Sequence, residues 1–519
     1  MKFRHWYLTT ASAVLVFSAM PLARAHDADA RAESLGQVNF EVSCSAAAQK
    51  EFNVAMAYYY SFDWSKLDPA LNRVLQLDPA CGMAHWARAL SMLDNTFNWP
   101  GGISAKALIE GPKELHAARR TGLKTQRERD YVEATSVFFK DHDKTDHHTR
   151  AKAFEVSLEK LAKLYPSDDE ASVLYALLLS SNFDPADKKY TNQMRAAEIL
   201  EPIFLKQPQH PGVAHFLIHS YDYPPLAQKG LETARRYAKI APSAPHALHM
   251  PSHIFTLLGQ WRESVASNLA ARAAARPGTQ QAFHASDYMI YAYLQLGETD
   301  NARQVLEQAR AASPVDTFGV AYPYAAMPAR IAIENAAWKE AAELPLYPAA
   351  DAYPWQKYPQ AEALNAFARG IGAAMNNEPA KAYAEVKRLT LLRDAAAALK
   401  EPYWADQVDI QVEVVRGLAM TAEGKHKEGI EVLRKAADRE DGSAKHVVTP
   451  GPVVRARQML ATMIDKYGNP AEALSEYEKV LLEQPELYAA VVGAVRNAKR
   501  MGDAQKTAIY NSKLGELRK

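Results

Sequence analysis

The 519-residue sequence predicts an all-α chain, an α-solenoid of antiparallel helical hairpins. Three observations lead there. Apolar residues recur at spacings of three and four nearly throughout, and strand-like alternation is scarce. Prolines repeat at one interval: Pro208 and Pro242 are 34 apart, as are Pro211 and Pro245. The dipeptides Leu258-Gly259 and Leu296-Gly297 mark equivalent turns 38 apart. An interval of about 34 residues is one helix–turn–helix unit, which covers its apolar face only by stacking on the next.

The elements follow in order. Residues 1–25 stand apart from the array. Lys2 and Arg4 give a charged start, residues 8–20 an apolar stretch too short to span a bilayer, and Ala23-Arg24-Ala25 a small-x-small cleavage site. The expectation is a signal peptide cleaved after Ala25, a mature chain starting at His26, and a periplasmic or secreted protein. Cys44 is too far downstream to carry a lipid at that point. Residues 26–165 hold the N-terminal hairpins: FNVAMAYYYSFDWSKLDPALNRVLQLDP closes at Pro79, and another hairpin falls at 126–165. Residues 166–316 hold a hairpin at 169–207 and three units at 211–244, 245–278 and 283–316, with four extra residues around Arg276-Pro277-Gly278-Thr279. Trp261-Arg262-Glu263 and Trp338-Lys339-Glu340, 77 apart, carry the register into 317–444, where hairpins fall at 361–394 and 407–438. Residues 445–519 form the C-terminal repeats. In 454–486, Leu460, Ala461 and Ile464 make one inner stripe, Gly468-Asn469-Pro470 the turn, and Ala473, Tyr477 and Val480 the second stripe before Pro485. Stretches 182–187, 348–359 and 445–452 (KHVVTPGP) read as irregular connections.

Composition narrows the function. Removal of the leader deletes Lys2, Arg4 and Arg24 and leaves 58 basic against 60 acidic residues. Nucleic-acid binding needs a basic surface that this balance does not suggest. No later apolar run is long enough for a membrane span. The two cysteines, Cys44 and Cys81, lie 37 apart, near the starts of helices in adjacent repeats. An oxidising compartment permits a disulfide between them, and a loop of that size contributes about 3–4 kcal/mol. Two buried thiols fit the sequence equally.

The spacing of small and large apolar residues in 454–486, closed by Pro485, resembles the tetratricopeptide repeat (TPR) superfamily, and the resemblance extends over most of the mature chain. It implies a TPR-like superhelix whose first helices line a concave groove that binds peptides or proteins. The stretches VNFEVSCSAAAQKEFN, HPGVAHFLIHSYDYPP, APSAPHALHMPSHIFTLLGQW and TPGPV also resemble a group of exported bacterial TPR proteins. That narrower resemblance implies fold and location rather than chemistry.

The chemistry lies in a grid of histidines. His215 and His219 are four apart; adding 34 gives His249 and His253, and adding 38 more gives Asp287 and Tyr291. A third row runs Gly212, His246, His284 with the same steps. Sixteen histidines in 519 residues predict fewer than one among nine such positions, and six are present. Residues three and four apart share a helix face, and packed helices lie about 8–10 Å apart, so neighbouring imidazoles can share an ion. Up to six nitrogens and the Asp287 carboxylate are enough for one or two ions. Imidazole accepts zinc, copper or iron, so the metal stays open. Pro251, between His249 and His253, is expected to kink the helix and re-aim one ring. Asp222, one turn past His219, is placed to orient an imidazole. Arg330, in the row of His253, would offer the groove a fixed charge, with Tyr291 beside it facing a ligand.

Blander readings stand beside these. The histidines could hydrogen-bond one another, or a peptide, with no metal. His85, beside Trp86, reads as a core residue; His147 and His148, in DHDKTDHHTR, as solvated; Tyr221, Phe255 and Tyr293 as packing. His26 could hold copper through its amine and ring once exposed. No HExxH, Gly-rich phosphate loop or GxSxG is present. The reading is a scaffold whose groove binds a peptide or protein and holds a histidine-rich metal site. Its rival is a periplasmic metalloenzyme, hydrolase or oxidoreductase, acting on a small molecule at the same cluster.

Overall fold

In the computed structural model, helix follows helix from Ala46 to Leu517, and no strand occurs among the described residues. Those are Met1 and residues 33–518; the expected signal peptide and His26 lie outside them. Residues from Ser34 onward form one unit. Consecutive helices pack as antiparallel hairpins, and alternate helices touch across each hairpin, which makes the array a TPR-like α-solenoid. None of the described helices is long and apolar enough to cross a membrane.

Nine helices bear on the histidines: α1 (Ala46–Tyr60), α2 (Trp64–Leu77), α3 (Pro211–Tyr221), α4 (Ala227–Ile240), α5 (Pro245–His249), α6 (Pro251–Leu257), α7 (Trp261–Ala274), α8 (Gln280–Gln295) and α9 (Phe318–Glu334). The prolines that gave the register, Pro211 and Pro245, each occupy a first helical turn. Their missing N–H costs nothing there and their fixed φ suits entry into a helix. Gly259 and Gly297, at the paired turns, take φ of 70° and 74°, the left-handed region glycine enters without strain.

Pro251 does more than kink. It starts a new helix, so the segment expected as one helix is two, α5 and α6, joined at Met250. His147 also departs from expectation. Asp146 caps a helix that begins at His147, and this turns the ring edge-on to Trp99 and Phe138, 5.2 and 5.5 Å away, while His148 stays exposed. His85 is only half buried and meets Glu114 at 2.6 Å.

Both ends of the array return to its centre. The Gln37 N–H donates to the Gln209 carbonyl at 2.8 Å, and the Ser34 N–H to Ser243 Oγ at 3.0 Å. From the other end, Trp261 Nε1 donates to the Glu486 carbonyl at 3.1 Å and the Tyr488 N–H to Gln295 Oε1 at 3.0 Å. Cys44 and Cys81 are joined in a disulfide with Cα atoms 5.1 Å apart.

Candidate metal centre

All six histidines of the grid face one another in a single cluster of two triads. His215, His219 and His246 form the first; His249, His253 and His284 the second. In each triad one ring nitrogen per residue lies within 4.8 Å of the others. Helix α3 supplies His215 and His219, one turn apart on a wholly buried helix. Helix α5 carries both His246 and His249 and α6 carries His253; His246 joins the first triad, while His249 and His253 join the second. Helix α8 adds His284. Across the triads, the His219 and His253 rings are 6.1 Å apart, as are those of His246 and His249.

The ring orientations are set from behind. His215 Nδ1 donates to the Tyr60 carbonyl at 2.7 Å, and His284 Nδ1 to the Val448 carbonyl at 3.1 Å. His249 Nδ1 donates to Asn268 Oδ1 at 2.6 Å, and that amide is oriented by its own bond to the Ser264 carbonyl. His253 Nδ1 donates to Asp222 Oδ2 at 2.7 Å. With four Nδ1 atoms engaged as donors, the matching Nε2 atoms present lone pairs. His249 Nε2 and His253 Nε2 lie 3.0 Å apart, and His215 Nε2 is 3.1 Å from Nε2 of both His219 and His246. Two ligand nitrogens at 2.0–2.1 Å from a tetrahedral ion are separated by about 3.3–3.4 Å, so the rings stand near ligating distance.

A proton is a poor occupant of this gap. Burial holds His249 down at about 4 and His215 at about 3, and pushes His219, His246, His253 and His284 well below the ordinary imidazole value. Mutual repulsion among the rings adds to the effect for most of them. Neutral imidazole is the form that ligates metal. Burial raises the Asp222 carboxyl, opposed by the Lys445 ammonium 3.4 Å from Oδ2.

Five of the six histidines, all but His215, line a cavity of about 550 Å³. Phe62, Trp64 and Met250 supply apolar wall, and Asn95, Asn98 and Gln280 polar rim. Phe97 stacks on His219 at 3.7 Å, and Phe62 on His246 at 5.5 Å. Phe62 holds φ at 51°, which a bulky residue rarely adopts, in the turn between α1 and α2 that sets it over the rings. The cluster is therefore the floor of a pocket covered from both ends of the chain, rather than one wall of an open groove.

Asp287, Tyr291 and Arg330 do not join the cluster. Arg330 and Asp287 form a fully buried ion pair, with Nε donating to Oδ1 at 2.8 Å. The guanidinium also donates to Thr449 Oγ1 and to the Gly451 and Pro452 carbonyls at 2.7–2.8 Å. The charge is thus spent on holding segment 445–452, which brings Val448 to His284 and Lys445 to Asp222. Tyr291 gives its hydroxyl to Gln484 Oε1 at 2.8 Å and its ring face to Arg330. Residues unforeseen in sequence include Asn268, Phe62, Phe97, Lys445 and Tyr288, whose ring stacks on His253 at 5.0 Å. Asn268 left a signal: in the repeat register it matches Ala234 and Leu306, a polar side chain in an apolar stripe.

No protein-family model matches the chain, and no curated protein matches it significantly. Among solved structures it is similar to yeast Tom70, at 14% identity and TM-score 0.33 over 90% of this chain and 92% of that one. A monomeric mutant of IFIT1 with m7Gppp-AAAA aligns at 13% identity and TM-score 0.37, over 85% of this chain and 95% of that one. The APC/C hetero-tetramer Cut9-Hcn1 aligns at 12% identity and TM-score 0.35, over 89% and 79%.

Proposed function

We propose that this protein is a metalloprotein whose helical repeats build a dinuclear, all-histidine centre that a small molecule reaches through the 550 Å³ pocket. One ion is held by His215, His219 and His246, the other by His249, His253 and His284. The carrying observation is the pair His249 Nε2 and His253 Nε2, buried and 3.0 Å apart, with both Nδ1 atoms already donating. Two lone pairs so placed repel one another, and a shared cation relieves this. Asp222, Asn268 and the Tyr60 and Val448 carbonyls act as the outer partners that fix ligating imidazoles. Three ligands per ion leave a position open, as catalytic rather than structural sites do. An exported location belongs to this reading, supported by the leader pattern and by the disulfide, which persists in oxidising compartments.

A second reading treats the array as a scaffold for a peptide or protein partner, supported by the TPR-like hairpins themselves. Metal analysis of untagged protein separates the two. The metal reading expects close to two equivalents of a transition metal. His249→Ala with His253→Ala should lose one ion, and His215→Ala with His219→Ala the other. Less than about a tenth of an equivalent, with no gain on reconstitution, leaves only the scaffold.

A further inference from the structure

We propose that the two ions are copper and that the centre oxidises small phenols, o-diphenols above all, with dioxygen as oxidant. This rests on the dinuclear reading above and adds the metal and the substrate class.

The donor set selects the metal. Each triad offers three imidazoles and neither a carboxylate nor a thiolate. Carboxylate-rich sites suit magnesium, calcium and manganese, and the open non-haem iron site uses two histidines and a carboxylate. Among the divalent ions that imidazole suits, Cu(II) binds most tightly at a given site. Charge points the same way. The one carboxylate among the outer partners, Asp222, is itself offset by Lys445. Two divalent ions would place four positive charges in a buried site with neutral ligands, at a large desolvation cost. Two Cu(I) ions halve that charge, and three imidazoles meet Cu(I)'s preference for low coordination number.

The same balance describes the substrate. When both ions are Cu(II), the site lacks anionic ligands, and the pocket is where one enters. A phenolate oxygen supplies the charge, and its ring meets the apolar part of a lining that also carries Asp63, Asp94, Lys66 and Arg276. Phe62, Trp64, Pro245 and Met250 offer apolar surface, while the Asn95 and Gln280 amides can meet a second hydroxyl. The cavity falls within the 300–1,000 Å³ typical of small-molecule sites, too small for a folded partner.

The chemistry balances as follows. Each o-diphenol loses two electrons and its two hydroxyl protons to become an o-quinone, and the electrons return two Cu(II) to two Cu(I). Two such turnovers deliver four electrons and four protons to one dioxygen, whose O–O bond breaks to give two waters.

The test uses the full-length chain, stripped of metal, loaded anaerobically with Cu(I) and supplied with catechol and dioxygen. The expected result is two copper per chain and sustained uptake of one dioxygen per two catechols, with no hydrogen peroxide released. Zn(II)-loaded protein should consume none. Tight loading with two Zn(II) but refusal of Cu(I) overturns the copper assignment and leaves the dinuclear reading standing. Failure to load either metal overturns both. Two copper bound without catechol turnover, or release of peroxide, overturns the oxidase chemistry alone. Because buried His→Ala changes can unfold the site, Asp222→Asn is the second variant. It preserves shape and should weaken one copper by about 10–100-fold while leaving the other in place, read by competition with a Cu(I) chelator. Equal weakening of both ions in a variant that melts like the parent overturns the assignment of separate triads.

Discussion

At the residue scale, the cluster is held by groups that touch no other part of its chemistry. Gly212 stands in the grid row of His246 and His284, and its helix explains the exception. A Cβ there would lie 2.6 Å from the Tyr60 ring, whose own carbonyl receives His215 Nδ1. Gly212→Ala should therefore cost about 1–3 kcal/mol by overpacking. It should also weaken the ion proposed for the first triad more than that for the second; denaturant unfolding and stepwise metal titration check the two parts. Arg330 and Asp287 give a harsher case. Arg330→Met leaves a buried carboxylate without its partner and frees three acceptors of segment 445–452. We expect a loss of about 3–5 kcal/mol, measured by chemical denaturation. Adding Asp287→Leu should recover part of it, since the stranded charge is then gone. The sequence made the six histidines legible because their spacing is periodic. It misassigned Asp287 and Arg330 because helix register reports which face a residue takes, not which neighbour it finds there. Two oppositely charged residues on adjacent helices satisfy one another before either meets a ligand.

At the scale of elements, the break at Met250 separates His253, on α6, from His246 and His249, which share α5. Pro251 lacks the N–H that would continue the hydrogen-bond ladder of α5, so α6 begins at Pro251. His246, three residues before His249 on α5, stands by His215, while His249 stands by His253 and His284. Pro251→Ala permits one continuous helix over 245–257. The break lies between His249 and His253, so the expected outcome is intact far-ultraviolet circular dichroism with weaker binding of the ion proposed for the second triad and little change at the first; unchanged binding of both would show that the break is incidental. Most hairpins, the paired turns and the small-residue stripes were readable to within a few residues, since each depends on local spacing; the helices Gly82–Ser91 and Ala105–Thr121 were not placed. Segment 445–452 was legible only as a joint. Its role depends on an Arg330 over a hundred positions earlier and on a His284 ring 164 residues from Val448, and no local pattern encodes that. The disulfide belongs to this scale as well. It ties the segment before α1 to the helix Gly82–Ser91, closing a loop of 37 residues. Reduction should lower stability by about 3–4 kcal/mol in the chain-entropy account, seen as a fall in Tm under reductant.

At the scale of the whole molecule, the superhelix is wound so that its ends cover its middle. The turn after α1 brings Phe62 and the Tyr60 carbonyl over the first triad, and segment 445–452 brings Val448 and Lys445 to the second. A ligand at the centre therefore couples three stretches of chain that repeats alone would leave independent, because in a solenoid each unit otherwise touches only its neighbours. An ion that binds the folded state and not the unfolded one stabilises by about 2.7 kcal/mol at a hundred times its dissociation constant. If the cluster holds metal, this gain must appear at the covering segments as well as at the histidines. Hydrogen exchange with and without bound metal tests it. Loading should slow exchange at residues 60–66 and 443–452 together, while outer helices such as Pro379–Ala398 stay unchanged. Slowing confined to the histidine helices would mean that the two flaps rest on the site without responding to its occupant. The pocket would then be a fixed feature of the fold rather than one drawn shut by what it binds.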